Sequence, residues 1–366
     1  PEPVTAHVIN APQFIFPPHS QSAKPLIVNS CNGFIRLVPM PELPKALWTP
    51  TRERIANSRI NRFVENVNKK GDLHEWSVNR PDQFWSLVWD DCGVVGHKGE
   101  RSFVPAQPSA PMSTAQFFPD ARISVVENML ATTGSHDALV AIDEVGNRRT
   151  RSWDELRERV ASIASALQAR GVAAGDRVAA WLPNSIEAIE VMLGAASIGA
   201  VFSSSSPDFG TNGVLDRFGQ IAPKVLFAVD GYLYNGKQFD CLERLAEISK
   251  GLPTVVETVV VSNIGTTVPT GTMSYSDFVD SGAAAPVSPQ RFSFDHPWYV
   301  LYSSGTTGVP KCIVHRTGGV LLQHMKEHQL HCNVQHGDRV MYFTTTGWMM
   351  WNWLVSVLAS GATAVL

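Results

Sequence analysis

Positions 302–311 read YSSGTTGVPK, directly after the apolar run Trp298-Tyr299-Val300-Leu301. Gly305 and Gly308 let a backbone come close to an oxyanion and turn several N–H groups toward it. Ser303, Ser304, Thr306 and Thr307 add hydroxyl donors, and Lys311 adds a mobile positive charge. Such a set suits a polyphosphate. It is not the phosphate loop of kinases and GTPases, where lysine follows the second glycine at once and a Ser or Thr follows the lysine. Here Val309 and Pro310 intervene, and Cys312 stands where that hydroxyl would be. A Ser/Thr/Gly turn with no ligand is the plainer alternative. A second set is histidine-rich: His324 and His328 lie at i, i+4, with His331 three further on. Met325 follows His324, so the glutamate of H-E-x-x-H is missing, and we expect a polar helix face with no metal.

The loop at 303–311 needs a rigid strand before it, and the chain from about 135 onward supplies the pattern. SWDELRERVASIASALQARG opens with Ser152 and Glu155 in capping-box spacing, carries Leu156, Val160, Ile163 and Leu167 as an apolar stripe, and stops at Gly171. The strand RVAAWL follows, then a helix that Asn184 and Glu187 are expected to open and that runs to Gly199. AVFSSS, KVLFAVD, the run at 298–302, Cys312–His315 and RVMYFTTT read as further strands, with a helix from Gln323 to His331 between the last two. Alternating helices and nearly continuous apolar strands predict a largely parallel sheet covered on both faces. In such sheets ligands bind at the carboxyl ends of the strands, where this loop lies.

The rest of the composition narrows the class. The 366 residues are 44% hydrophobic and 17% charged with a net charge of −3, which fits a globular chain and gives no reason to expect a nucleic-acid partner. Five scattered cysteines without a C-x-x-C fit reduced thiols in a cytoplasmic compartment. Met349–Leu366 is free of charge, but Asn352, Ser356, Ser360, Gly361 and Thr363 interrupt it. A buried helix stopped by Gly361 and a short buried strand from Ala362 is the reading preferred to a membrane span. Residues 1–40 read as a poorly ordered leader; they lack acids after Glu2, as a transit peptide does, but have no Arg-rich amphipathic face. Residues 41–130, with Trp48, Trp76, Trp85 and Trp89 among charged stretches, read as a helical cap. In RPDQFWSLVWDDCG, Phe84, Leu87 and Val88 share a helical face that Gly93 ends. The final strand has no polar tail, so we expect the N-terminal portion of a longer protein, with an open strand edge and an uncovered apolar face near Leu366.

YSSGTTGVPKCIVH resembles the phosphate loop of the adenylate-forming enzymes, the family of acyl-CoA synthetases, whose pattern is [ST]-[ST]-G-T-[ST]-G-x-P-K. TRERIANSRINRFVENVN, DQFWSLVWDDCGVVG, HQLHCNV and TTTGWMMWNWLVSVLASGATAVL resemble its acetoacetate-activating branch, so that residues 45–366 or so are covered. The resemblance implies an α/β fold: the N-terminal part of an adenylate-forming large domain, its mostly parallel sheets flanked by helices, with a helical cap and without the C-terminal domain. Residues 131–366 would be the AMP-binding domain. It also implies a ligase that joins acetoacetate to CoA with ATP and Mg2+, through an acyl-adenylate. Ser303, Ser304, Gly305, Thr306, Thr307, Gly308 and Lys311 would then meet the ATP phosphates. Trp348, Met349 and Met350 would shape the acyl pocket, although a Met/Trp-rich helix also packs plainly in a core. Lys237, in DGYLYNGK, and Ser204, in the serine loop 203–208, would meet CoA; a solvated lysine is the alternative. An acetyl- or propionyl-activating ligase and a non-catalytic nucleotide-binding remnant stay as alternatives, and the portion alone is expected to be inactive.

Overall fold

The computed structural model describes residues 7–8, 46–67, 72–282, 288–303 and 308–366. Apart from a two-residue strand, His7–Val8, the leader expected over 1–40 lies outside the described residues. So do Ser304, Gly305, Thr306 and Thr307.

The larger sheet has seven strands in the order Met273–Ser274, Glu257–Val261, Val225–Val229, Arg177–Trp181, Val201–Ser205, Pro297–Tyr302, Cys312–Arg316. All neighbours are parallel except the last pair, an antiparallel hairpin whose turn is the glycine loop. A second sheet orders His7–Val8, Arg339–Met341, Thr363–Val365, Asp137–Ile142 and Arg148–Ser152, parallel but for its last pair. The fold is thus the mixed α/β one expected, with a large parallel sheet flanked by helices.

Helix Ile186–Ser197 touches strands of both sheets, and its sequence, IEAIEVMLGAAS, is apolar almost all round, as a helix buried on every side requires. Gly194 lets helix Trp153–Ala169 approach; a methyl there would run into Ile163. Two glutamates are buried with it. Arg149 holds Glu187 at 2.6 Å, and Arg151 and the Tyr275 hydroxyl hold Glu190 at 2.7 and 2.5 Å. The capping box of Ser152 and Glu155 forms as the sequence predicts, and Leu156, Val160, Ile163 and Leu167 are buried. The second helix is capped one residue later than expected, by Ser185, whose hydroxyl accepts from Ala188 N.

Residues 46–130 add helices Arg52–Ala56, Arg59–Asn66, Leu73–Asn79, Pro81–Asp91 and Val125–Met129, along with several two-residue strands. Phe63, Val88, Trp89 and Phe118 form a separate core with Leu321, Leu322 and Met325 of helix Thr317–Lys326.

Four expectations are corrected. RVMYFTTT pairs only at Arg339–Met341, because the residues after it leave the sheet. The histidine helix is Thr317–Lys326 continued by a π-helical turn, Glu327–His331, and the face with His324 and His328 is buried rather than solvated. Thr363–Val365 lies inside its sheet, bonded on both sides, so no strand edge is open there. The cap is not wholly helical, as its short strands show. The apolar run 349–366 forms helix Met349–Val355, a 3-10 turn and that strand, with Gly361 at φ +69° as the stop. Among the described residues no helix is long and apolar enough to cross a membrane.

Candidate functional site

Parallel pairing places the carboxyl ends of Val225–Val229, Arg177–Trp181, Val201–Ser205 and Pro297–Tyr302 side by side along one edge. The glycine loop leaves from the last of these. Its two ends are closed by Ser303 N donating to the Lys311 carbonyl (3.0 Å) and Lys311 N donating to Ser303 Oγ (3.3 Å). Gln220, from helix Thr211–Ile221, braces the far limb by donating to the Pro310 carbonyl at 2.8 Å. Gly308 holds φ +153°. Lys311 is exposed and has no ion-pair partner among the described residues, so its charge is available to a ligand.

The base of the loop is polar but ordered. Ser203 Oγ donates to the Val300 carbonyl (3.0 Å) and lies 2.9 Å from the Tyr302 hydroxyl. Burial pushes the Tyr302 hydroxyl well up, which keeps it a neutral hydrogen-bonding group. The Arg217 guanidinium sits 4.3 Å from the Phe209 ring centre and 5.9 Å from that of Tyr302.

The Thr344–Trp348 corner is fastened across the same edge. Thr346 Oγ1 donates to the Leu182 carbonyl (2.7 Å), and Ser204 Oγ donates to the Thr346 carbonyl (2.6 Å). Trp351 Nε1 donates to Asn184 Oδ1 at 2.9 Å, pinning the first turn of the following helix. Gly347 lies against Phe209 and Ser206; a methyl there would come within 3.3 Å of the Phe209 ring. The sheet therefore brings loop 303–311 and corner 344–348 to neighbouring strand ends. Trp348 is 66% exposed and Met349 46%, so both face outward at the corner, while Met350 is half-buried.

The residues proposed for CoA stand apart from each other. Ser204 is 2% exposed, and its hydroxyl is committed to Thr346. Lys237 is exposed on a separate hairpin, Gly231–Tyr234 with Lys237–Asp240, which follows directly on strand Val225–Val229. The hairpin's Asn235-Gly236 turn has both φ values positive, and both N–H groups donate to the Glu144 carboxylate at 2.9 and 3.0 Å. Beside that turn a cleft of about 400 Å³ is lined by Glu144, Arg149, Asn184, Tyr232 and Asn263 among others.

His324 and His328 serve the interior. Ser356 gives its proton to the Trp353 carbonyl (2.7 Å), so His324 Nδ1–H must donate to Ser356 Oγ (2.8 Å). His328 Nε2–H donates to the Trp353 carbonyl (2.8 Å), which leaves Nδ1 bare and without a partner. Burial lowers both rings, His324 to about 3 and His328 to about 4. No group of three or more His, Cys, Asp or Glu among the described residues is placed to hold a metal ion.

Reading the residues alone missed Gln220 and Thr346, which act through partners far away in sequence, and Arg217, which stacks on Phe209 eight residues before it. It also missed Asn352, which is fully buried in helix Met349–Val355 with neither side-chain atom hydrogen-bonded. Its signal was present: a lone amide in the apolar run MMWNWLV.

Known proteins resemble this chain in sequence and fold. The chain is 47% identical over 336 residues to the acetoacetyl-coenzyme A synthetase of Rhizobium meliloti (strain 1021), covering 88% of this chain and 51% of that one. It is 37% identical to the malonamoyl-CoA synthetase of Penicillium aethiopicum, covering 96% and 51%. Among solved structures, the acetoacetyl-CoA synthetase from Streptomyces lividans superposes with a TM-score of 0.81 at 41% identity, covering 88% of this chain and 51% of that one. The chain thus spans about half the length of the relatives it matches. The family model described as AMP-binding enzyme matches residues 126–366, the part that carries both sheets' main strands, the glycine loop and the corner, and the chain belongs to that family.

Proposed function

We propose that this chain is part of an AMP-forming acid–thiol ligase that activates a short acid with a carbonyl at C3, acetoacetate first among them. In the first step a carboxylate oxygen attacks the α-phosphorus of ATP; the bond to pyrophosphate breaks and an acyl-adenylate forms. In the second, the sulfur of CoA attacks the acyl carbon, AMP leaves with the bonding pair, and the thiol proton goes to solvent. The first step needs no general base, because the carboxylate is already the nucleophile. The protein's task there is alignment and charge stabilisation.

Ser303, Ser304, Gly305, Thr306, Thr307, Gly308 and Lys311 hold the β- and γ-phosphates, with Mg2+ arriving on ATP. Trp348, Met349 and Met350 form the mouth of the acyl site. Lys237 meets the phosphates of CoA, and Ser204 contributes by fixing the corner through Thr346. What supports this reading above all is that the loop and the corner are fastened to adjacent strand ends of one parallel edge. The names of the relatives add the substrate class, since acetoacetyl and malonamoyl groups both carry a carbonyl at C3.

The test is acid-dependent exchange of labelled pyrophosphate into ATP by the intact protein, with acetoacetate, acetate, propionate and butyrate in turn. Exchange driven best by acetoacetate is expected. Binding of ATP without exchange would leave only a nucleotide-binding role, and a best rate with acetate or propionate would move the substrate class.

A further inference from the structure

Asn235 and Gly236 stand at φ +52° and +70°, the geometry of a tight hairpin turn that leaves both N–H groups without a partner inside the hairpin. Both donate instead to Glu144, Asn235 N to Oε1 at 2.9 Å and Gly236 N to Oε2 at 3.0 Å. One carboxylate oxygen for each amide is a charge-assisted match, and the Gly236 and Asn235 N–H groups hold the Glu144 carboxyl below the usual carboxylate range. Glu144 stands on a fixed turn. The Asp143 carboxylate accepts from Val145 N, Asn147 N and Asn147 Nδ2 at 3.1, 2.8 and 2.8 Å, which locks it. The hairpin needs such a hold: among the described residues Gly231–Tyr234 and Lys237–Asp240 pair only with each other, and a lone two-stranded ribbon is marginal in water. Its root is tied, because the buried Asp230 carboxylate accepts from Asn263 N, Ile264 N and Thr266 N, and Asn263 Nδ2 donates to the Gly231 carbonyl. The tip stands about 10 Å beyond that root, three residues at ~3.3 Å each. Among the described residues, the two bonds to Glu144 are the only hydrogen bonds that reach the tip from outside the hairpin.

We propose that Glu144 positions Lys237 for CoA: by clamping the Asn235–Gly236 turn it fixes where the ammonium meets the CoA phosphates. This rests on the function proposed above, in which Lys237 makes that contact, and adds the residue that holds the lysine in place. Lys237 follows the turn directly and pairs with Tyr234 across it, so the position of the turn decides where the lysine's backbone lies. Its side chain is exposed and has no ion-pair partner among the described residues, which leaves a long flexible stem to be ordered when an anion arrives. Fixing the backbone beforehand removes part of that ordering cost. The clamp also sets the width of the cleft of about 400 Å³, which Glu144, Asn147 and Arg149 line from the first hairpin and Tyr232 and Leu233 from the second. No hydrogen bond links Glu144 to loop 303–311 or to corner 344–348 among the described residues, so the clamp serves the second step and not the first.

The experiment uses the intact protein as wild type, Lys237→Met, Glu144→Ala and the double variant. It reads the KM for CoA in thioester formation and the rate of acid-dependent pyrophosphate exchange without CoA. Lys237→Met is expected to raise the KM for CoA about 10- to 100-fold, the loss of a charge-assisted contact. Glu144→Ala should raise it roughly 2- to 10-fold, the ordering cost of one long side chain, with exchange at the wild-type rate. The double variant should be no worse than Lys237→Met, since Glu144 acts through that lysine. Full additivity in the double variant overturns the inference, as does an unchanged KM for CoA in Glu144→Ala beside a raised one in Lys237→Met. A lowered KM in Glu144→Ala also overturns it, because the turn's N–H groups are then phosphate donors that the glutamate blocks. Exchange that falls in proportion to thioester formation marks a structural carboxylate and overturns it equally. Should Lys237→Met itself leave the KM for CoA unchanged, the lysine's place in the proposed function fails and the inference falls with it. A wild type without acid-dependent exchange defeats the proposed function before any variant is made, and takes the inference with it.

Discussion

The buried imidazoles of His324 and His328 make stability depend on pH between neutrality and mild acid. Each ring is neutral in the fold, with burial the first cause of its lowered pKa; in His324 the neighbouring rings of His328 and His315 add to it. In the unfolded chain each titrates near 6.5. Below pH 6.5 the unfolded state therefore binds protons that the folded state refuses, so stability is full above 6.5 and falls as pH drops toward the folded values of about 4 and about 3. At about 1.36 kcal/mol per pH unit, going from pH 7 to pH 5 costs about 2 kcal/mol for each histidine. Two such terms are a large share of the 5–15 kcal/mol typical of a folded domain. His328→Gln keeps an N–H that can reach the Trp353 carbonyl but cannot titrate. In urea unfolding followed by tryptophan fluorescence at pH 7 and pH 5, the variant should lose about 2 kcal/mol less than wild type over that interval. Both proteins carry the same carboxylates, so the difference reports the His328 imidazole together with its smaller effect on the neighbouring His324. Equal losses in the two proteins would mean that His328 is not held neutral against Trp353, and the argument from its bare Nδ1 would fail.

Three other outcomes are expected. Lys311→Ala should slow acid-dependent pyrophosphate exchange about 10- to 100-fold, the loss of a charge-assisted contact worth about 1.5–3 kcal/mol, without a change in melting temperature, since the lysine is exposed; an unchanged rate removes it from the site. Met350→Trp should turn preference from acetoacetate toward acetate by about 1–3 kcal/mol, read as a ratio of kcat/KM, and a constant ratio in an active variant refutes its place at the acyl mouth. Tyr275→Phe should destabilise the fold by about 1.5–3 kcal/mol in urea, because the Glu190 carboxylate loses its 2.5 Å hydroxyl donor inside the core; an unfolding curve like that of wild type would show that Arg151 and Arg159 suffice.

What the sequence made legible is what local chemistry decides. The Ser152–Glu155 box, the stops at Gly171 and Gly361, and the loop with two glycines and a lysine are each written within a dozen residues, and each is found where expected, save that the middle of the loop lies outside the described residues. The helix start was missed by one position because Asn184 and Ser185 are both good caps, and only tertiary packing tells that Asn184 is taken by Trp351. RVMYFTTT was read too long because its pattern suits a strand, while Thr346 is claimed by Leu182 and Ser204, 164 and 142 residues away in sequence. The histidines looked like a polar face because their partners, Ser356 and the Trp353 carbonyl, sit on another helix. Contacts of that range carry no periodicity, so no pattern within one segment announces them.

The two halves of the site are anchored separately, and this bears on how such an edge can change its substrate. The loop is held by the Tyr302–Cys312 ladder, the Ser303–Lys311 closure and Gln220. The corner is held by Ser204, Thr346 and the Trp351–Asn184 bond. None of these hydrogen bonds is shared between the two sets. Energetic coupling between residues is strong within one hydrogen-bond network and weak between groups that share no partner. The packing link between the two sets runs through Phe209, which lies against Gly347 and under the Arg217 guanidinium, so exchanges at Met349 and Met350 reach loop 303–311 through that contact and through no shared hydrogen bond. The Ser204 hydroxyl is buried inside the sheet and donates to the Thr346 carbonyl, so replacing it acts on the corner and removes none of the bonds of the Ser303–Lys311 closure. On the function proposed above, a fold that fastens loop 303–311 and corner 344–348 to different strands of one edge would change the acid it accepts without changing the activation step.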